Sequence, residues 1–251
     1  MNLIQKEQNP AYRSAFFENF CKLPFYFIPM ASHIVKVLES KFITHDVKKI
    51  RVERPKEYSF IPGQGTEVAI NLPEWKSQLR PFTFTNPLDA RYLEFMIKIY
   101  RDHNGVTNKM GGINAGDELI IHDVFGTIEY KGKGTFIAAG TGITPFIAIF
   151  RALYDNNKLR GNRLIYVNKT SEDIIMGQEL FMMFKKDFVN VLTRENTIGY
   201  IGKRIDRNFL IENIVDFNQQ FYVCGPESFV SDINKNLLEL GAEPEFLVFE
   251  Q

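Results

Sequence analysis

Three short segments carry residue types whose spacing could do chemistry. The first, Thr135-Phe-Ile-Ala-Ala-Gly140-Thr141-Gly142-Ile143-Thr144-Pro145, is an apolar strand running into two glycines and then a helix opened by proline. Glycines at such a turn let a backbone approach a phosphate, and the unpaired N–H groups of a helix start add donors and a favourable dipole. It is not the GxGxxG fingerprint, because Pro145 stands where the third glycine would be, and a GxG after a strand is also an ordinary tight turn. The second segment is Arg80-Pro81-Phe82-Thr83-Phe84-Thr85-Asn86. Arg80 offers a rigid fork of donors for a phosphate, Phe82 a flat face, and Thr83 a hydroxyl able to exchange a hydrogen bond with a ring nitrogen; a strand with one surface arginine accounts for the run at least as well. The third, Asn104-Gly105-Val106-Thr107-Asn108, could hold a second phosphate cluster through its amides or be a plain hairpin turn.

Other reactive residues are sparser. Cys224 ends the apolar run Phe221-Tyr222-Val223 and precedes Gly225-Pro226; the carboxyl edge of a parallel sheet presents groups to a ligand, although a buried cysteine is ordinarily just a small apolar residue. Cys21 and Cys224, the only cysteines, give no CxxC or zinc-ligand spacing, so no disulfide framework, iron–sulfur cluster or structural zinc is expected. His33, His45, His103 and His122 form no HxxxH or HExxH pattern, and no GxSxG elbow is present. No metal site is expected.

These segments need elements to position them. Leu93, Phe95, Ile97 and Ile99 alternate with Glu94, Met96 and Lys98, the period of a half-buried strand. Similar strands are expected over 34–44, 49–53, 67–72 and 118–122, with turns at Pro62-Gly63, Asn104-Gly105 and Ala115-Gly116-Asp117, which together suggest a barrel or sandwich. After Gly132-Lys133-Gly134 the pattern changes to strands (135–139, 163–167, 190–193, 221–224) alternating with helices (145–154, 179–184, 209–214, 227–240), the βαβ signature of a mostly parallel sheet. The expected division is an N-terminal extension over 1–31, a β domain over 32–131 and an α/β domain over 132–251. Within the extension, Phe16, Phe17, Phe20 and Leu23 have helix-like spacing, read as a short amphipathic helix packed on the body or a partner-binding arm.

Composition sets the outer bounds. Of 251 residues, 45% are hydrophobic and 24% charged, the balance of an ordinary globular protein. Lys plus Arg and Asp plus Glu number 30 each, so the strongly basic footprint of a general nucleic-acid binder is missing. The longest uncharged stretch, 134–150, is interrupted by Gly140, Gly142 and Pro145 and falls short of the ~20 residues of a bilayer span. Lys6, Glu7, Arg13 and Glu18 break up the start of the chain, which is not the layout of a secretory signal; a cytoplasmic location is expected.

Taken in order, four motifs from about Ser32 onward resemble those of the ferredoxin–NADP reductase family of flavoenzymes. Arg80-Pro81-Phe82-Thr83 is similar to its Arg-x-Tyr-Ser/Thr flavin motif, Gly105-Val106-Thr107 to its pyrophosphate loop, Gly140 to Pro145 to its nucleotide loop, and Cys224-Gly225-Pro226 to its late Cys-Gly motif. The resemblance implies an α+β two-domain protein, with an N-terminal antiparallel β-barrel binding FAD followed by a Rossmann-like α/β domain binding a nicotinamide dinucleotide. Carried over by position, Arg80 contacts the FAD pyrophosphate, Phe82 lies against the isoalloxazine, Thr83 hydrogen-bonds flavin N5, and Lys98 and Ile99 line the adenylate side. Gly140, Thr141, Gly142 and Thr144 receive the dinucleotide, Cys224 with Gly225 and Pro226 approaches the nicotinamide, and Glu250 matches the acid of the final strand. Thr83, Cys224 and Glu250 are thus the catalytic candidates. Phe82 replaces the usual tyrosine, so its ring can stack but lacks the hydroxyl contact, implying weaker flavin retention.

Lys169, Thr193-Arg194 and Arg204 follow successive strands and resemble the NADP-selective branch, since a 2′-phosphate adds about two negative charges that need basic partners. NADPH is therefore expected, with NADH as the alternative. The chain stops about where a covering terminal aromatic would come, so the flavin face is expected to be open or shielded by Phe249. The implied reaction is hydride transfer from NADPH to FAD and single-electron transfer to a separate carrier, a ferredoxin or flavodoxin. Direct reduction of free flavin, a ferric chelate or a quinone is the enzymatic alternative, and a non-catalytic flavin- or nucleotide-binding regulatory subunit the other.

Overall fold

The computed structural model describes residues 32–126 and 128–249; the expectations for the extension 1–31 and for Glu250 lie outside the described residues. Six antiparallel strands come first: β1 (His33–Phe42), β2 (Val47–Glu53), β3 (Gly65–Ile70), β4 (Arg80–Thr83), β5 (Tyr92–Lys98) and β6 (Glu118–Phe125). Their order is β4-β3-β6-β1-β2-β5. Just past β4, the Thr85 N–H donates to the Glu94 carbonyl of β5 at 2.9 Å, so the two edge strands approach each other and the sheet becomes a nearly closed barrel. Leu93, Phe95 and Ile97 point into its core with Val35, Ile50, Val68, Ile121 and the Phe84 ring.

Two details differ from the sequence reading. β5 is buried on both faces, not one: Glu94 and Met96 are buried as well as the odd positions, because the second half of the chain packs on its outer side. Residues 104–108 do not form a hairpin turn. Gly105 caps a five-residue helix, α1 (Val106–Met110), whose Val106 and Met110 enter the barrel core; that i, i+4 apolar pair is the helical period in its shortest form.

The second half is a parallel sheet of β7 (Gly134–Ala139), β8 (Arg163–Asn168), β9 (Phe188–Leu192), β10 (Gln220–Cys224) and β11 (Leu247–Phe249), ordered β11-β10-β7-β8-β9. Helices α2 (Thr144–Asp155) and α3 (Gly177–Phe184) supply Phe146, Phe150, Leu180 and Phe184 to the face carrying Phe136, Tyr166 and Tyr222. Helices α4 (Arg207–Asn213) and α5 (Glu227–Glu239) supply Phe209, Leu210, Ile233 and Leu237 to the face carrying Ile137, Ile165 and Val223. With helices on both faces, the strands read as continuous apolar runs.

The strand order decides where a ligand goes. From β7 the chain proceeds outward to β8 and β9, then returns to place β10 on the other side of β7. This reversal opens a crevice at the carboxyl ends of β7 and β10, the place where open α/β sheets bind ligands. No described helix is long and apolar enough to cross a membrane.

Candidate functional site

A cleft of about 670 Å³ lies between the barrel and that crevice. From the barrel it is lined by Pro81, Phe82 and Thr83 of β4, Lys98 of β5 and Thr107 of α1; from the other half by Gly140, Thr141, Gly142 and Thr144 after β7, Lys169 and Thr193 after β8 and β9, and Cys224, Gly225 and Pro226 at the end of β10. Thr83 and Thr144, drawn from different motifs, meet directly: the Thr83 hydroxyl donates to Thr144 Oγ1 at 3.0 Å.

The remaining candidate residues are placed differently. Ile99 and Val106 are core residues whose side chains pack inside the barrel, since Ile99 continues the inward alternation of β5 and Val106 is the inner face of α1. Arg80 is exposed, and its Nη1 donates to the adjacent Leu79 carbonyl at 2.7 Å. Gly105 caps α1 with open space where a side chain would sit. Arg194 and Arg204 are exposed on the loops after β9. Phe249 pairs with Val223 and packs on the α4 and α5 side of the sheet, the face opposite Cys224, so it does not shield this cleft.

The turn after β7 is built for close backbone approach. Gly142 lies against the Cys224 carbonyl so tightly that any side chain would overlap the backbone of Cys224 and Gly225. Gly140 has φ +54°, a left-handed conformation that suits glycine, and a Cβ there would project into open space. The Tyr166 hydroxyl, buried beneath, donates to the Gly140 carbonyl at 3.0 Å and pins the turn; burial pushes its pKa up. No side chain caps the 3-10 turn (Gly140–Ile143) or the start of α2, so their leading N–H groups are available to an anion.

Sequence reasoning missed Asn168. It ends β8, lines the cleft and is 4% exposed, and its amide sits beside the Tyr166 hydroxyl. Neither side-chain amide atom has a partner at hydrogen-bond geometry among the described residues, which is rare for a buried polar group. An orphaned amide, an open glycine and uncapped N–H groups around one crevice fit a dinucleotide. The sequence signal was a polar residue closing the apolar run Leu164-Ile165-Tyr166-Val167 at a strand's carboxyl end.

Charge on the two sides is distributed unevenly. Lys98 Nζ lies 2.6 Å from Asp46; burial opposes the Asp46 charge, but Lys98, with His45 and the Thr44 hydroxyl, outweighs it and holds the carboxyl below its usual range. His45, Asp46 and Asp173 bring three potential ligand atoms within 4.8 Å of one another, and the Asp46 carboxylate among them is already paired with Lys98. Across the cleft, the Thr193 and Arg194 N–H groups donate to the Asn168 and Lys169 carbonyls, both at 2.9 Å, gathering Lys169, Thr193 and Arg194. The same lacing brings in an acid: Glu195 accepts from the Ser171 N–H at 2.6 Å and the Thr197 hydroxyl at 2.6 Å, and these bonds hold its pKa below the usual range.

Residues 34–130 match the oxidoreductase FAD-binding domain family and residues 136–235 the oxidoreductase NAD-binding domain family. The chain is 27% identical to an NADH nitrate reductase of Arabidopsis thaliana over 86% of its own length and 28% of that protein. It is 29% identical to NADH-cytochrome b5 reductase 1 of Laccaria bicolor, over 71% of this chain and 62% of that one. It therefore spans under a third of the first relative and under two thirds of the second. Its fold is that of a ferredoxin NADP+ reductase from Neisseria gonorrhoeae solved with FAD and NADP bound, with a TM-score of 0.77 and 18% identity, covering 87% of this chain and 98% of that structure.

Proposed function

This chain belongs to the ferredoxin–NADP reductase-like family of flavoenzymes, joining an FAD-binding to an NAD-binding domain, and from that premise we infer that its cleft carries electrons from NAD(P)H through FAD to a separate one-electron carrier. The observation that carries this reading is the 3.0 Å contact between Thr83 of the barrel and Thr144 of the nucleotide turn inside one cleft: the two half-sites face each other.

On this reading Phe82 and Thr83 hold the flavin ring, while the exposed Arg80 and Thr107 serve its phosphates. Gly140, Thr141, Gly142 and Asn168 hold the dinucleotide, with Cys224 and Pro226 bounding the nicotinamide end. Bound FAD supplies the conversion of a two-electron hydride into single electrons; the protein supplies orientation and a site that excludes water. Lys169 and Arg194 support NADPH. NADH is the second reading, favoured by the Glu195 carboxylate on the same loop and by the NADH named in the relatives.

The carrier is a ferredoxin or flavodoxin on the motif resemblance, and a b5-type haem on the name of the Laccaria relative. Visible absorption of the purified protein under anaerobic NADPH, then NADH, tests the core of the reading: a yellow protein bleached by either supports it. A colourless or unbleachable protein defeats it in favour of a binding subunit. Stopped-flow reoxidation by ferredoxin, flavodoxin, cytochrome b5 and free FMN then separates the acceptors.

A further inference from the structure

Five charged side chains alternate in sign across the two halves of the body. Arg51 of β2 bonds Glu39 of β1 at 2.8 Å and Glu94 of β5 at 2.8 Å. Glu94 continues to Arg151 of α2 at 2.9 Å, and Arg151 grips Glu179 of α3 through Nε at 2.7 Å and Nη2 at 3.0 Å. Glu94 is fully buried and Arg151 nearly so. Arg151 Nη1 also donates to the Thr85 carbonyl at 2.5 Å.

Bulk adhesion between the halves does not need this chain. Val47 and Met96 of the barrel join the core built on α2, and Ala148 of α2 joins the barrel core. Buried ion pairs are in general no more stabilising than apolar residues of the same shape. They differ from apolar contacts in direction: a planar guanidinium with a fixed fork fixes angle as well as distance. That direction is applied at a telling place, because Thr85 lies two residues beyond Thr83, and Arg151 lies two helical turns along α2 from Thr144.

We propose that Arg151 is a positioning residue for hydride transfer: its guanidinium, held between Glu94 and Glu179, locks α2 to the end of β4 and so sets the separation of Thr83 from the Gly140–Thr144 turn. This rests on the reading that flavin and nicotinamide meet in the cleft. With both groups bound, a hydride with its electron pair would pass from the reduced nicotinamide to the flavin; Arg151 is not among the residues that line the cleft. It fixes the approach that a transfer of this kind needs, where a displacement of about 1 Å can cost roughly a hundredfold in rate.

The test uses the full FAD-loaded chain and the substitutions Arg151→Lys, Glu94→Gln and, as a surface control, Lys235→Ala. Three quantities are read: dinucleotide affinity by calorimetry, the single-turnover bleaching rate, and backbone hydrogen exchange over residues 83–85 and 140–144. Expected for Arg151→Lys are an affinity within about twofold of the parent, bleaching slowed roughly tenfold to a hundredfold, and faster exchange in both segments. Lys235→Ala should change none of these. Parent-like bleaching and exchange in Arg151→Lys overturn the proposal while leaving the function intact. If Arg151→Lys does not hold FAD, Glu94→Gln, which keeps the shape and removes the charge, decides: slowed bleaching supports the proposal and a parent rate overturns it. A parent protein that neither NADPH nor NADH bleaches defeats the underlying reading, and the proposal with it.

Discussion

Replacing Gly142 by alanine should damage the nucleotide crevice in a way that replacing Gly140 does not. A Cβ at Gly142 would fall within 2.5 Å of the Cys224 carbonyl carbon and 2.6 Å of the Gly225 nitrogen. These are backbone atoms, so no rotamer change relieves the overlap, and the ends of β7 and β10 must separate. Overpacking of this kind costs about 1–3 kcal/mol, which for a chain of this size lowers the melting temperature by roughly 2–12 °C. At Gly140 the Cβ would meet open cleft space; the left-handed φ costs about 1–2 kcal/mol, and the added methyl stands where a phosphate would approach. Thermal melts with and without saturating NADP+, together with calorimetric affinities, compare the two. Gly142→Ala should lose stability without ligand and bind weakly. Gly140→Ala should lose less stability yet give up most of the ligand-induced rise in melting temperature. A Gly142→Ala protein that melts and binds like the parent would refute the close-packed crevice.

Asn168→Leu should leave the ligand-free protein about as stable as the parent, because beyond its contact with the Tyr166 hydroxyl the amide has no partner to lose. The same change should weaken dinucleotide binding about tenfold by calorimetry, near the value of one or two hydrogen bonds; a large fall in melting temperature without ligand would contradict this. Lys169→Ala should raise the KM for NADPH roughly tenfold more than that for NADH, and Arg204→Ala, farther along the loop, should do so less. Equal effects on both dinucleotides would remove the 2′-phosphate assignment. Glu94 gives a pH signature: burial opposes its charge, but Arg151 and the hydrogen bonds from Arg51 and Thr85 outweigh burial and hold its pKa below the glutamate range. A depressed folded pKa means the stabilisation is complete at neutral pH and lost as pH falls through that lowered value. The stability gap between the parent and Glu94→Gln, about 3 kcal/mol at pH 7, should therefore narrow in denaturant titrations only below about pH 4; a gap independent of pH down to 2 would rule it out.

Much of this was legible because the decisive signals are local. The apolar run into Gly140 and Gly142 reads directly as strand, turn and helix start, and the change of period near Gly132 separates an antiparallel from a parallel sheet. What the sequence did not show was the environment of single side chains. Ile99 and Val106 stand in the expected segments, and the inward alternation of β5 and the short helix α1 send their side chains into the barrel core. Glu94 read as the solvent face of a half-buried strand, since nothing within seven residues of it announces Arg51 or Arg151, which arrive from 43 and 57 positions away. Asn168 was passed over because an orphaned amide is defined by what fails to surround it, and that is a property of the folded cleft.

The same asymmetry explains how a two-part site can be assembled at all. Each half is locally complete: β4 presents Phe82 and Thr83 whatever lies opposite, and the β7–β10 reversal creates its crevice without the barrel. Neither half fixes the distance between them, and apolar packing of Val47, Met96 and Ala148 tolerates sliding because it is non-directional. Directional bonds must therefore cross the junction, and among the described residues three hydrogen bonds do so between α2 and the barrel strands β4 and β5 with the turn after β4: the Thr83–Thr144 hydroxyl contact, the Arg151 bond to the Thr85 carbonyl and the Arg151–Glu94 pair. The hydroxyl contact lies in the cleft itself and is free to be exchanged for a ligand, whereas the two Arg151 bonds lie behind it, shielded from water. A site of this design can open one bond to admit its cofactors while the other two keep the halves in register.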